Sequence, residues 1–424
     1  MKRILILSLL LLLVLGLVPN LMAQDQVTLT FIGGDYFDPP ANGEDPSDSY
    51  QVVMEYMKQH PNVSFDAHSV PFAEIDSTQL AALEAGKGPD LLVVNSVTIG
   101  SFIDRGYLMP LNDLIDSSGF DTSQIYEGTM KAAVFNDLVF GLPFDTGTRL
   151  LFWNKALFQD AGLEPPTTWD ELPDVAVQMT DADNGVYGLV ATSGERWVWL
   201  YGYAGMYALA NNLQILNDDA TECVLNQGDN VKIIQYWVDL YNSGAMSQED
   251  LLVGGGPERL LAFGNKRAAM FLGGFWTAGS LENDYGMTWP DDYGIIPLEG
   301  SAGFASTTGG WIFAISRDAQ NPEAAMDFIN FVISNPENLV RFSGLMPATR
   351  AATDISLEGK FYDPFKELLN SPNTAHPIPL NPGLPEQAEV LRNVTQAAIL
   401  GDMTAQEAAD SFCSQIEGTM YPAS

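Results

Sequence analysis

The residues that could do chemistry gather at the ends of apolar runs. Asp35, Tyr36 and Phe37 follow the alternating run that begins at Val27, and Asn95 and Ser96 follow the fully apolar run that begins at Leu91. Trp276 follows the run that begins at Ala268, and Gly309, Gly310 and Trp311 open the next. Open α/β sheets bind small molecules at the carboxyl ends of their strands. Aromatic plates beside short polar groups suit the apolar C–H faces and hydroxyl rim of a neutral sugar. Each residue also has a plainer reading: Trp276 as an indole packed under a sheet, and the glycine pair as the shape of a turn. Residues 196–203 add an aromatic run that starts with a cation. Arg196 and Trp197 are its candidates for covering a ligand, whereas Trp199 fits a core stripe. Bond-breaking chemistry finds less support. The 54 acids guarantee carboxylate pairs, but no spacing nominates one, and no serine elbow or metalloprotease motif occurs. His60, His68, His376, Cys223 and Cys413 are not clustered as zinc ligands require. Asp181-Ala182-Asp183-Asn184-Gly185 places its glycine one position too early for a calcium loop. The expectation is a binding protein with no catalytic residues, no metal and no cofactor.

Composition sets the outer bounds. The chain has 424 residues, about three domain-lengths, and with 46% hydrophobic and 17% charged residues it has material for one or more large cores. Lys and Arg total 19 against 54 Asp and Glu, a formal charge of −35. Such a field repels nucleic acids, anionic lipid surfaces and polyanions, and leaves a neutral or cationic small molecule as the partner. Asp35, Asp38, Glu44, Asp45 and Asp48 make one locally dense acidic loop. It reads as a solvated loop, or as a preference for a cationic nutrient such as an amino sugar or polyamine. Lys2, Arg3, the apolar residues 4–18 and Leu21-Met22-Ala23 form a secretory signal over residues 1–23. An exported protein follows, periplasmic or extracellular, with no cysteine near the cleavage site to carry a lipid. Cys223 and Cys413 then either bond in the oxidising compartment or remain two buried thiols.

The elements that must hold the strand ends alternate in type. Residues 27–94 read β-α-β-α-β, the pattern of a doubly wound sheet with helices on both faces. The same grammar restarts after residue 140. Thr168 with Glu171 and Thr404 with Glu407 have capping-box spacing, and Asn321-Pro322 opens another helix.

Four blocks, in order, resemble a known family. Gln79 to Leu111 contains Gly86-Lys87-Gly88-Pro89-Asp90 and the strand after it. Gly141 to Leu172 joins a Leu-Pro crossover to Asn154-Lys155, Ala161-Gly162-Leu163, Pro165-Pro166 and Thr168-Trp169-Asp170-Glu171-Leu172. Phe263 to Trp276 carries Ala-Ala-Met and ends in Gly-Gly-Phe-Trp, and Gly309 to Val332 supplies the next strand and helix. These blocks are similar to the extracellular solute-binding proteins of ABC importers, in the family 1 group related to maltose-binding protein. The resemblance implies an α/β, two-lobed periplasmic-binding-protein fold of type II, with an interlobe cleft and hinge closure. It places residues 24–140 plus 268–334 in the first lobe and 141–267 plus 335–424 in the second. It further implies a monomer that binds a mono- or oligosaccharide and hands it to a membrane permease. Asp145 and Thr146 fall at a crossover, Trp276 at a sugar-stacking position and Arg350 on a loop that reaches the cleft. For Asp145 a hinge hydrogen bond to backbone is the alternative, and for Arg350 a structural ion pair.

Overall fold

The computed structural model describes residues 26–420, apart from positions 42–43, 72–73, 195, 254, 345, 357–362, 371–374 and 378–380. The expected signal segment, residues 1–23, lies outside the described residues. In chain order the strands used below are β1 (Val27–Gly33), β2 (Val63–Ser69), β3 (Leu91–Asn95), β4 (Leu142–Pro143), β5 (Arg149–Asn154), β6 (Tyr187–Val190), β7 (Ala268–Gly274), β8 (Tyr293–Ile296), β9 (Ser306–Thr308) and β10 (Trp311–Ile315). The helices are α1 (Asp48–Gln59), α2 (Ile75–Glu84), α3 (Lys232–Asn242), α4 (Gly256–Gly264), α5 (Thr277–Tyr285), α6 (Pro322–Ile333), α7 (Pro336–Ser343), α8 (Leu384–Ile399) and α9 (Ala405–Ile416).

Two sheets form two lobes. The first has the order β2-β1-β3-β10-β4, parallel across β2, β1 and β3, with β10 antiparallel to both of its neighbours. The second has the order β8-β5-β7-β6. Strands buried on both faces read as continuous apolar runs, and Leu91 to Val94 and Ala268 to Gly274 are buried at every position. Helices α1, α6 and α7 cover the first sheet through Tyr56, Phe328, Ile329 and Phe342. Helices α3, α8 and α9 cover the second through Trp237, Leu391 and Phe412. Asp90, from the Gly-Pro-Asp motif, stitches the first lobe. It accepts from the N–H (2.9 Å) and hydroxyl (2.8 Å) of Thr30 and from the N–H groups of Gln320 and Asn321, both at 2.7 Å. Burial raises its carboxyl pKa, but these donors outweigh burial and leave it below the ordinary value.

Backbone pairing corrects the expected lobe boundaries. β7 and β8 pair with β5 through Leu272–Leu151 and Ile295–Phe152, so residues 268–296 sit in the second sheet. Leu339, Phe342, Ala348 and Ala352 pack in the first core, so the chain stays there past residue 334. Phe144 packs in that core as well, which moves the first crossing beyond residue 141. For β7 the physical reason is plain. An all-buried strand suits the centre of either sheet, and only its hydrogen-bonded neighbours decide which one it joins.

Cys223 and Cys413 are bonded, with Cα atoms 5.4 Å apart and a sequence separation of 190. The bond ties the turn after Leu216 to α9, and the helix begins with the Thr404–Glu407 capping box expected of it.

Candidate functional site

A cleft of about 500 Å³ opens on the second lobe. β5 contributes Arg149, the segment before the π-helix Val198–Gly205 contributes Trp197, α4 contributes Arg259, and Trp276, Asp284 and Tyr285 come from the β7–α5 corner and α5. Trp276 is 37% exposed, a large fraction for an indole. Its seat is made by glycines. A Cβ on Gly274 would lie 2.0 Å from the ring and one on Gly147 would lie 3.1 Å away, so both positions keep the indole against the backbone. The Arg149 guanidinium stands 5.1 Å from the ring centre, and Phe275 meets the ring edge-on at 5.5 Å. Arg149 is also in contact elsewhere. Exposed indole, guanidinium donors and a carboxylate can together hold a small polar molecule by stacking and charged hydrogen bonds.

A second group of candidates meets at the strand crossing beside the cleft. Asp145 is 2% exposed, and its Oδ1 accepts the Trp311 N–H, while among the described residues its Oδ2 has no partner. Burial pushes its carboxyl well above the usual carboxylate range, with the Trp311 N–H pulling the other way. Gly310 permits this approach, because a Cβ there would lie 2.3 Å from Oδ1 of Asp145. Ser96 donates its N–H to the Gly310 carbonyl (2.9 Å) and accepts the Gly310 N–H on Oγ (3.1 Å). Thr146 shares hydroxyl contacts with Thr129 (2.6 Å) and Thr308 (3.1 Å) and donates its N–H to the Met346 carbonyl. Gly309 bridges to Gly147, the residue beneath Trp276, which joins crossing and cleft.

The remaining candidates disperse. Tyr36 is buried, stacked on Phe342 with ring centres 5.2 Å apart; burial, Asp145 and Asp35 all raise its hydroxyl pKa. Asp35 is exposed in a single 3₁₀ turn. Asn95 Oδ1 accepts the Val97 N–H at 3.0 Å and caps the turn after β3. Arg196 lies 4.8 Å over the Trp197 ring and 3.8 Å from Glu389. It also bears on Asp76 of α2 in the other lobe: burial raises that carboxyl, while the Thr98 hydroxyl and Arg196 lower it. Trp199 is core, as its stripe predicts. Arg350 is exposed, 5.2 Å over Tyr126 and 3.3 Å from Asn370 Oδ1, and does not line the cleft. Thus two of the expected site residues, Trp197 and Trp276, share the cleft. Six more build the crossing: Ser96, Asp145, Thr146, Gly309, Gly310 and Trp311.

Sequence reasoning passes over Arg149 and Arg259. The signals were there: Arg149 directly follows the crossover, and Arg259 follows Gly254-Gly255-Gly256-Pro257 at the opening of a helix. Among the described residues no group of three or more His, Cys, Asp and Glu side chains is placed to hold a metal ion. No described helix is long and apolar enough to cross a membrane.

Comparison with known proteins accounts for this architecture. The Escherichia coli (strain K12) sn-glycerol-3-phosphate-binding periplasmic protein UgpB is 26% identical over 371 residues, 79% of this chain and 80% of that protein. An ABC transporter solute-binding protein from Thermotoga lettingae, solved with α-D-tagatose, is 25% identical with a TM-score of 0.76, covering 92% of this chain and 99% of the other. The sugar-binding protein MalE from Xanthomonas citri shares the fold at 20% identity, with a TM-score of 0.78 over 93% of this chain and 97% of its own. The family model for bacterial extracellular solute-binding proteins matches residues 35–338. With type II neighbours over nine-tenths of its length and that model spanning both sheets, the chain belongs to the bacterial extracellular solute-binding protein family.

Proposed function

We propose that the protein is an exported, monomeric receptor that binds a mono- or oligosaccharide and delivers it to an ABC-type permease without altering it. The observation that carries this reading is Trp276, a broadly exposed indole seated on two glycines in a cleft of about 500 Å³. That volume suits a small ligand, since such sites measure roughly 300–1,000 Å³. An exposed ring face in such a site is the surface on which a sugar's C–H face stacks. The tagatose-bound relative and the glycerol-phosphate-binding relative support a small polyhydroxylated ligand. The periplasmic glycerol-phosphate-binding relative also supports a periplasmic location. Ligand-binding roles for Trp197 and Trp276 belong to this proposal, with Asp145, Gly309 and Gly310 serving the crossing.

Isothermal titration against a saccharide panel, followed in parallel by tryptophan fluorescence, tests the reading. Saturable binding with a change in emission is expected. Trp276→Ala should weaken binding about 10- to 100-fold, the loss of a central aromatic anchor, with the circular dichroism spectrum preserved. Normal affinity in that variant would place the site elsewhere. Release of shorter sugars from an oligosaccharide over hours would make the protein an enzyme instead.

A further inference from the structure

Among the described residues Arg259 is a buried cation with two guanidinium nitrogens left without partners. Its residue is 5% exposed, and among the described residues its Nε and Nη1 are buried with no hydrogen-bond partner. The chain has 54 acids to choose from, yet among the described residues none forms an ion pair with this guanidinium. Its guanidinium carbon stands 5.9 Å from the ring centre of Phe271. Burying a charge without a partner is costly. A guanidinium cannot escape the cost by losing its proton. A site that keeps such a group gains from it only when an acceptor arrives. Arg259 lines the cleft, as do Trp276 and Arg149, so the acceptor comes with the occupant of the cleft.

We infer that the ligand is an acidic saccharide, a polyhydroxylated ring or chain bearing an oxyanion that Arg259 receives. The planar fork of a guanidinium donates two parallel hydrogen bonds to a carboxylate or phosphate, a match that lysine lacks. The sugar ring stacks on Trp276 while its oxyanion reaches α4. Asp284, on the same lining, repels the oxyanion from its own end and accepts hydroxyls there, which fixes one orientation of the ligand. This reverses what net charge implies. The field of −35 disfavours anions at a distance, and one unpaired cation at short range selects them. The favoured ligand is then neither neutral nor cationic. The inference rests on the saccharide reading above and narrows it.

Calorimetry on the full exported chain with matched pairs tests it: D-galacturonate against D-galactose, D-glucuronate against D-glucose, and D-glucose 6-phosphate as a third arm. One acid of the set should bind about 10- to 100-fold more tightly than its neutral partner, the worth of a charged hydrogen-bonded contact. Preference for a uronate identifies a carboxylate ligand, and preference for the phosphate identifies a phosphate ester. Arg259→Met should bring the acid-to-neutral ratio close to one, and Arg259→Lys should leave it intermediate. Thermal unfolding checks that both variants fold. If Arg259→Met does not fold, the wild-type ratio, its decline with added salt and the lysine variant decide the matter. Neutral sugars binding as tightly as their acids, or a ratio unmoved in the folded variants, would overturn the inference and leave a sugar receptor. Binding of no saccharide of either kind would overturn both readings.

Discussion

Asp145 shows how a residue can be legible in position while its role stays open between two readings. The sequence marks it as a crossover acid able to accept sugar hydroxyls or a hinge hydrogen bond from backbone. The structure turns it inward, with Oδ1 on the Trp311 N–H and Gly310 pressed against it. The hinge reading is therefore the one that fits its burial. Because burial raises its folded pKa, the stability linked to this group is fully present below the unfolded carboxyl value of about 3.9 and is lost as pH rises through the folded value. Asp145→Asn keeps the acceptor for Trp311 and removes the buried charge. It should match the wild type near pH 4 and exceed it by about 1–3 kcal/mol at pH 7. Tm measured at pH 4, 5.5 and 7 checks this, and a variant weaker at pH 7 than at pH 4 would contradict it. At the cleft, Trp276 was readable because an exposed aromatic after a strand has few other duties. Arg149 and Arg259 were not, because an arginine in sequence carries no record of whether it is buried or paired.

At the scale of elements, period and capping carried most of the information. The β-α-β-α-β opening, the Pro-Asp strand and the Thr404–Glu407 cap all appear where apolar spacing and side-chain acceptors put them. What local pattern could not reveal was partnership. β7 is equally buried in either sheet, and residues 336–352 carry no signature for the core they enter. The disulfide is an intermediate case: helical spacing put Cys413 on the face of Ala409 and Phe412, but its bond to Cys223 depended on a turn 190 positions away. Closing so long a loop constrains the unfolded chain strongly. Replacing both cysteines by serine should cost about 2–5 kcal/mol, read as a lower urea midpoint in equilibrium unfolding. Little change in that midpoint would mean that core packing holds the lobe without the bond.

The whole molecule is two lobes held by a narrow set of crossings. Gly147 bridges Gly309, and Asp145 bridges Pro347, so three chain segments meet within backbone contact. Among the described residues Arg196 also attracts Asp76 across the lobes, and Val97 packs in the second core. Binding of the saccharide should draw the lobes together. A fall in the radius of gyration by small-angle scattering on adding ligand, absent in Trp276→Ala, would register it; an unchanged radius at saturation would argue against closure. The layout of the two cores has another consequence, in the order in which the chain is made. A chain leaves the ribosome from its N-terminus. The first core has all its parts once Ala352 has emerged, but the second sheet is finished at Ile296 and must wait for α8 and α9 to bring Leu391 and Phe412. Until synthesis reaches Ile416, the face of the second core that Leu391 and Phe412 cover stays open, and the last two helices close it.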